Sequence, residues 1–512
     1  MEKRSLIGLA LILLLIFLYP FYLRLFSLPQ EQKTVEIPQI ISQKDSQAQP
    51  IDLIEIKNYD TVHDTVLGNK YLEIKTSSQG AGISLIRLIL FNLSIYNSND
   101  YNKNLFFFAE PFLNYALNKA IYTYTEKENS VTYSLNLPGQ FALEKIFTLE
   151  KDTYLLKFTL RIKNLQDKPL PLNLSLRGGE NFSSQELGEE RYGEIVYAQQ
   201  EKIKHEFLRQ IPHSRLYLGP LAWFAVKSKY FVEIFVPSSS GVAFTVRHPS
   251  PQQWEVISQL PLILLSPGET REENFLIYFG PLDEDILKQY NPHWKEIVYY
   301  GMFDSIAKSI LKLLKLGFLL FKNYGWAIIF LSLLVNLLLF PFTWKSMKAM
   351  QALQRLQPQI EQLRKIYSQD PPRLNREILE LYRKHKVNPL GGCLPLFLQM
   401  PIFISLYQVL VRAIELKGAK FLWIKDLSLP DALITFPQKF FFINSLNLLP
   451  LLMAGAVFLQ QKKTQVYSSQ KQTLWFMPLF LGFIFYNFPA GVVLYWLTSS
   501  GLNLCFSGKF LK

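Results

Sequence analysis

Cysteine is nearly absent from this chain of 512 residues: there are two, Cys393 and Cys505, both inside apolar runs. That excludes a disulfide framework for the polar part of the chain, and neither residue sits in a metal-binding pattern. Both read as small buried hydrophobes. The six histidines, at 63, 205, 213, 248, 293 and 385, show no zinc-type spacing. There is no glycine-rich phosphate loop and no pair of carboxylates placed for acid–base work. Charge is missing where a transporter would need it: none falls between 325 and 343, 442 and 459, or 472 and 508. Ionisable groups within a membrane usually mark ion pathways and proton relays. Their lack counts against an ion-coupled transporter and against an aspartyl intramembrane protease. No catalytic residue, metal or cofactor is expected.

What is present is a mixture. Hydrophobic residues make up 49% and charged residues 19%, with a mean hydropathy of +0.10. A chain partly in a membrane and partly in water fits both figures. The net charge of +13 suits anionic lipid or nucleic acid, and the position of the charge decides between them.

Residues 6–23 are almost wholly apolar, interrupted by Gly8 and Pro20 and preceded by Lys3 and Arg4. The run exceeds a signal-peptide core of ~7–15 residues and no small-x-small cleavage site follows. The expectation is a retained N-terminal transmembrane anchor over 1–26. A glutamine-rich polar linker follows over 27–54. Residues 55–290 read as β: Tyr154, Leu156, Phe158, Leu160 and Ile162 alternate with polar neighbours, the period of a half-buried strand. Turn signals recur at Asn164–Pro169, Pro237–Gly241 and Pro267–Glu269. The expectation is a large antiparallel β-sandwich.

From 297 to 323 the pattern becomes amphipathic, with Ile306, Ile310, Leu313, Leu314 and Leu316 among Lys308, Lys312 and Lys315. Such a helix lies in a membrane interface. Apolar runs then recur at 324–343, 394–414, 442–459, 474–488 and 491–506. Together with the anchor they predict an α-helical polytopic membrane protein of six spans. The last two runs reach only about 15 residues each, below the ~20 that cross a bilayer, and short spans thin a bilayer locally.

Lysine and arginine set orientation. The loop 344–388 carries ten of them against four acids. With six spans this loop, Lys462, Lys463, Lys471, the C-terminus and the N-terminus share the cytoplasmic side, and residues 27–296 lie on the other. The densest basic segment is thus a loop between spans, so no specific nucleic-acid partner is expected. Within it Leu353, Leu356, Ile360, Leu363 and Tyr367, then Leu374, Ile378 and Leu381, step by three and four. That predicts a helical hairpin kinked at Pro358. Its basic residues, including Arg355, Arg364, Lys365, Arg383 and Lys384, either only set topology or form a docking surface for ribosome or nascent chain.

Mild polarity remains in the spans. Ser332 and Asn336, four apart, share a helix face; Gln399, Tyr495 and Trp496 offer hydrogen-bonding groups from other spans. A polar group in lipid needs a partner or water. These residues are either interhelical glue, worth ~0.6–2 kcal/mol each, or together the lining of a wet recess.

Lys386-Val387-Asn388-Pro389-Leu390-Gly391-Gly392-Cys393, followed by Leu394-Pro395 and Gln399-Met400-Pro401-Ile402-Phe403, resembles the signature of the YidC family. So do Pro341, Leu356-Gln357-Pro358, Trp423-Ile424-Lys425-Asp426-Leu427 and Phe488-Pro489-Ala490-Gly491, in the family's order. The resemblance covers roughly 297–508. More loosely, Glu144–Leu176 and Leu262–Leu282 resemble the periplasmic domain of Gram-negative members. It implies an inner-membrane insertase with a five-span core over 324–508. Its clients are nascent membrane proteins, and it works alone or with the Sec translocon. In this family a hydrophilic groove opens to cytoplasm and lipid, and an apolar slide runs along the third and fifth spans. By position Ser332, Asn336 and Tyr495, with Gln399 and Trp496, become groove residues; Phe403, Leu481 and Ile484 become slide residues. The chain departs from the pattern at Asn336, where the family usually has an arginine, and in its short C-terminal tail.

Two rival readings make different predictions. A channel or transporter would show polar residues repeated through several spans or an internal repeat, and neither is found. A sugar-binding or sugar-modifying sandwich on an anchor would not need five further spans and a basic hairpin.

Overall fold

The computed structural model describes residues 61–98, 104–109, 117–180, 192–200, 202–211, 213–250, 253–385, 387, 394–440, 443–464 and 471–510. The anchor 1–26, the linker 27–54 and most of the Lys386–Cys393 motif lie outside the described residues. The rest divides into two compact units, one ending at Tyr299 and one beginning at Tyr300.

The first unit is antiparallel β. Its strands begin with β1 (Asp64–Gly68), β2 (Leu72–Ser77), β3 (Gly82–Leu88), β4 (Leu93–Asn97), β5 (Thr123–Lys127), β6 (Ser130–Leu137), β7 (Phe141–Leu149) and β8 (Leu155–Asn164). They continue with β9 (Leu170–Leu172), β10 (Ser175–Glu180), β11 (Glu194–Gln199), β12 (Lys202–Phe207), β13 (Ser214–Tyr217) and β14 (Leu221–Lys227). The last are β15 (Phe231–Pro237), β16 (Ala243–Ser250), β17 (Gln253–Gln259), β18 (Ile263–Leu265) and β19 (Thr270–Pro281). A nine-stranded sheet runs β12-β11-β14-β15-β19-β8-β7-β6-β5, and four-stranded sheets run β1-β2-β3-β4 and β10-β17-β16-β13.

Alternation builds these strands. Along β7 every second residue is buried and the others are half-buried. Register sets Phe147 opposite Phe158 and Phe158 opposite Phe275, and Phe106 packs on the first two at 5.9 and 4.6 Å. Phe224 of β14 stacks on Phe244 of β16 at 4.6 Å, so one small sheet covers that end of the large sheet. Thr76 of β2 and Tyr133 of β6 share a hydrogen bond of 2.8 Å, so the other small sheet covers the opposite end. This is a sandwich, and it continues past residue 290. Helix α1 (Glu284–Tyr290), capped by the Asp283 carboxylate, leads to a buried Trp294 and Ile297. Trp294 packs on Tyr278 at 5.9 Å.

Several charged side chains lie buried inside this unit. Lys145 is fully buried, donates to the carbonyls of Gly80 and Phe106 at 2.8 Å, and is pushed down to about 7 by burial. Burial alone would raise the Glu194 carboxyl, but His205 and Lys227 hold it below its ordinary value. Lys227 in turn donates to the Ile297 carbonyl at 2.7 Å. Glu233 is buried on β15 with Oε1 unpartnered, and desolvation raises its carboxyl well above the usual range.

The second unit is helical: α2 (Asp304–Phe321), α3 (Tyr324–Ile366), α4 (Pro371–Lys384), α5 (Leu394–Arg412), α6 (Leu448–Thr464), α7 (Lys471–Ile484) and α8 (Ala490–Phe510). Strands β20 (Ile434–Phe440) and β21 (Ile443–Leu446) pair between α5 and α6. The predicted interfacial helix is α2. It buries Ala307, Ile310, Leu311, Leu314 and Gly317 and leaves Leu319, Leu320 and Phe321 exposed. Helix α3 starts where the Asn323 side chain accepts from the amides of Gly325 and Trp326, as an N-cap should. It runs 43 residues through Pro341 and Pro358 without ending, so the second predicted span and the first arm of the hairpin are one helix. Asp370 caps α4, with Pro371 in its first turn.

Among the described residues one stretch, Tyr324–Leu353, is long and apolar enough to cross a bilayer by length and composition. Leu448–Lys462 and Trp475–Asn487 are shorter apolar helices, while α5 and α8 have 19 and 21 residues. Residues 443–446, expected at the start of a span, are strand instead. Asn444, Ser445 and Asn447 are weak helix formers, and α6 begins only after Asn447.

Candidate functional site

Helix α3 supplies the first polar residues. Ser332 and Asn336, one turn apart, face α8. The Ser332 hydroxyl, fully buried, donates to the Tyr495 carbonyl at 3.4 Å. The Asn336 amide donates to the Ser332 carbonyl at 2.8 Å and to the Ser499 hydroxyl at 3.0 Å, and Ser499 returns a bond of 3.2 Å to the amide oxygen. Asn336 is half-buried. The backbone amides of this stretch are committed to helix, so any further donor must come from a side chain.

The buried Tyr495 hydroxyl lies beside the Gln399 side chain of α5 without a hydrogen bond of ordinary length. Ser332, Asn336, Tyr495 and Gln399 are thus brought toward one region by α3, α5 and α8. Trp496 points elsewhere. Its ring meets Phe403 edge-on at 5.0 Å and Phe485 at 5.1 Å, so it belongs to an aromatic cluster with the predicted slide residue Phe403. Leu481 and Ile484 lie half-buried on α7, one turn and one residue before Phe485. Along α7 the residues Trp475, Phe476, Leu479 and Phe483 form an exposed apolar stripe.

Sequence reasoning missed Ser499. A signal was there: Thr498-Ser499-Ser500 is a polar run in an apolar helix, and Ser499 falls four residues after Tyr495, on the same face.

Arg355, Pro358, Arg364 and Lys365 are exposed on the C-terminal half of α3, and Arg383 and Lys384 end α4, also exposed. Leu356 and Ile360 are buried, whereas α4 buries nothing. The basic side chains therefore sit on exposed faces of α3 and α4.

The opposite end is stitched by the loop after α5. Asn323 at the start of α3 donates to the Lys420 carbonyl at 3.0 Å. The amides of Ala490 and Gly491, at the start of α8, donate to the carbonyls of Leu429 and Leu427. The buried Asp431 carboxylate accepts from the first amides of α6, Leu448 and Leu449, at 2.7 and 2.9 Å. One loop thus binds the starts of three helices.

Two family models match the chain: the 60Kd inner membrane protein over residues 317–507 and the YidC periplasmic domain over 108–313. A membrane protein insertase YidC of Geobacter sp. (strain M21) is 33% identical over 70% of this chain and 66% of its own length. One of Citrifermentans bemidjiense is 32% identical over 74% of this chain and 69% of its own. The matches therefore span about two thirds of these relatives. A solved active YidC insertase, 19% identical, aligns over 89% of this chain and 94% of its own with a TM-score of 0.41. Two family models side by side and relatives matched across both units leave one assignment: the chain belongs to the YidC family of membrane protein insertases.

Proposed function

We propose that the helical unit receives the polar segment of a nascent membrane protein between α3, α5 and α8, while the client's apolar helix moves along α5 and α7 into lipid. Ser332, Asn336, Gln399 and Tyr495 form the polar side of this path, with Trp496 at its boundary. Phe403, Leu481 and Ile484 form the apolar side. In this reading 1–26, α3, α5, α6, α7 and α8 are six spans of the bacterial inner membrane, the last five making the insertase core. The termini and the α3–α4 arm are cytoplasmic and residues 27–296 periplasmic. The arm meets ribosome or nascent chain, and the protein works alone or with the Sec translocon.

The observation that carries this is the Asn336–Ser332–Ser499 contact, a polar patch set into stretches of α3 and α8, residues 325–343 and 490–508, that carry no charge. A charge at mid-bilayer costs ~2.5–3.5 kcal/mol on the insertion scale, and a polar, hydrated path lowers that barrier. Burial of the client's apolar helix supplies the drive without nucleotide hydrolysis. Of the two runs expected to be short, 474–488 forms α7 with 14 residues but 491–506 lies in α8 with 21, and the second short apolar helix is instead Leu448–Lys462 of α6. Helices α6 and α7 add to the drive by thinning the bilayer beside the path.

The test is insertion of a short single-span client into proteoliposomes holding the purified protein, scored by protease protection of the translocated tail. Protection well above protein-free liposomes, reduced by Ser332→Leu together with Asn336→Leu, is expected. Protection no greater than in protein-free liposomes, or unchanged in that double variant, overturns the reading.

A further inference from the structure

The β20–β21 hairpin is an oddity of the helical unit. The chain leaves the loop at Asp431, makes two strands and returns at Asn447 to begin α6. Its base is clamped. Asn447 Oδ1 accepts from the Ala432 amide and the Ser445 hydroxyl, and Nδ2 donates to the Tyr486 carbonyl at 2.7 Å. The Tyr486 hydroxyl donates to the Ser445 carbonyl at 2.9 Å, and the Leu433 amide to the Leu446 carbonyl at 2.9 Å. The hairpin is thereby fixed over the start of α6 and the end of the α7 segment together.

Its composition does not suit water. From Leu427 to Gln461 only Asp431 and Lys439 carry charge, and Asp431 is buried as the α6 cap. Leu433, Ile434 and Phe436 are 42%, 52% and 44% exposed. Residues 440–443 read Phe-Phe-Phe-Ile. A two-stranded hairpin is marginal in water by itself, and an apolar one with open edges invites aggregation. Nor does it suit the hydrocarbon core, where unpaired strand edges are not tolerated. The interface satisfies both, because water and headgroups reach the edges while the apolar side chains dip inward.

The depth agrees. Leu448–Lys462 is about 15 residues, or roughly 22 Å at the helical rise, against a hydrocarbon core of ~30 Å. With Lys462 and Lys463 at one boundary, the hairpin's polar clamp would be buried in an undeformed bilayer. The exposed apolar face of α6 at Leu451 and Leu452 begins one turn from that clamp.

We propose that the β20–β21 hairpin is a lipid-contacting anchor that lies in the outer interface of the bilayer and holds that interface down at the start of α6. The thinning beside α6 and α7 is thereby fixed on the outer side by a dedicated element. This rests on the reading of α6 and α7 as spans.

The test uses full-length protein with Cys393 and Cys505 replaced by serine, in phosphatidylethanolamine–phosphatidylglycerol vesicles. A fluorophore is placed at Phe436→Cys, at Leu433→Cys, at Leu451→Cys on α6, or at Lys127→Cys on the β unit. Quenchers are aqueous iodide and lipids spin-labelled near the carbonyl or the methyl end of the acyl chain. Expected is several-fold stronger quenching of the Phe436 and Leu433 positions by the carbonyl-end label than at Lys127, with protection from iodide. Iodide quenching at both hairpin positions, with Leu451 still quenched by lipid, overturns the anchor and points to an aqueous partner. Quenching chiefly by the methyl-end label overturns the interfacial placement. A Leu451 position open to iodide removes the spanning reading of α6 itself.

Discussion

The side-chain amide of Asn336 on α3 and the hydroxyl of Ser499 on α8 hydrogen-bond to each other in both directions, at 3.0 and 3.2 Å. Each satisfies the other, so the pair is polar, neutral and already partnered. An arginine at 336 would differ in the last two, since it is permanently charged and carries five donors that Ser499 alone could not satisfy.

Asn336→Arg is therefore expected to raise insertion of clients with acidic translocated tails relative to clients with neutral tails. The comparison is made in proteoliposomes by protease protection. An unchanged ratio between the two client types counts against a role for residue 336 in reading charge.

The alternation of β7 and β8 was legible because each strand has one face in the sandwich core, and period two then has a single meaning. Ser332 and Asn336 could be paired from sequence for a similar reason: four residues apart in a helix is one face. Three features were hidden. Ser499 lies 163 residues from Asn336, and helix periodicity says nothing about which face meets which helix. Trp496 was grouped with the polar residues by its indole nitrogen, yet its ring area places it among Phe403 and Phe485. The hairpin was masked by composition: an apolar run around 442 suits a span as well as a strand, and the choice is made by Asp431 and Asn447, which close the loop through contacts distant in sequence.

Glu233→Gln should stabilise β15, and the gain should depend on pH. Burial raises the folded-state pKa of Glu233, so between ~4.3, the unfolded value, and that raised value the folded state binds more protons than the unfolded. Stability contributed by this group is complete below the unfolded value and falls as pH rises toward the folded one. Glutamine removes the dependence while keeping the shape. Hydrogen–deuterium exchange of Phe231–Pro237 in the detergent-solubilised chain should slow several-fold in the variant at about pH 8 and change little at about pH 4. Equal exchange at both would mean that Glu233 is compensated.

Gly317 of α2 lies directly against α3. A Cβ there would stand 3.1 Å from the Cα and Cβ of Ala327 and 3.3 Å from the Phe330 ring. Helix propensity alone would favour replacing it. Contact argues otherwise, and Gly317→Leu is expected to cost ~1–3 kcal/mol, the usual range for overpacking. The thermal midpoint in detergent should fall for leucine and move much less for alanine. A midpoint for leucine at or above that of the parent would show that α2 can shift without loss.

The basic arm can be tested for its two meanings at once. Arg364, Lys365, Arg383 and Lys384 are exposed, and α4 buries no residue, so replacing them with glutamate should leave the packed helices intact. A topology signal acts during insertion, and its loss would show as a changed sidedness of Lys462 and Lys463 to membrane-impermeant amine labels. A docking surface acts on a phosphate-rich partner, and its loss would show in ribosome binding. Each phosphate contact contributes close to one unit of slope in the logarithm of affinity against the logarithm of salt concentration. Correct sidedness with weaker ribosome binding and a shallower salt slope is expected if the arm docks. Altered sidedness with the parent's salt slope among correctly oriented molecules would assign these charges to topology alone. The two results differ in kind because orientation is fixed once, at synthesis, whereas docking is an equilibrium that salt can shift in the finished protein.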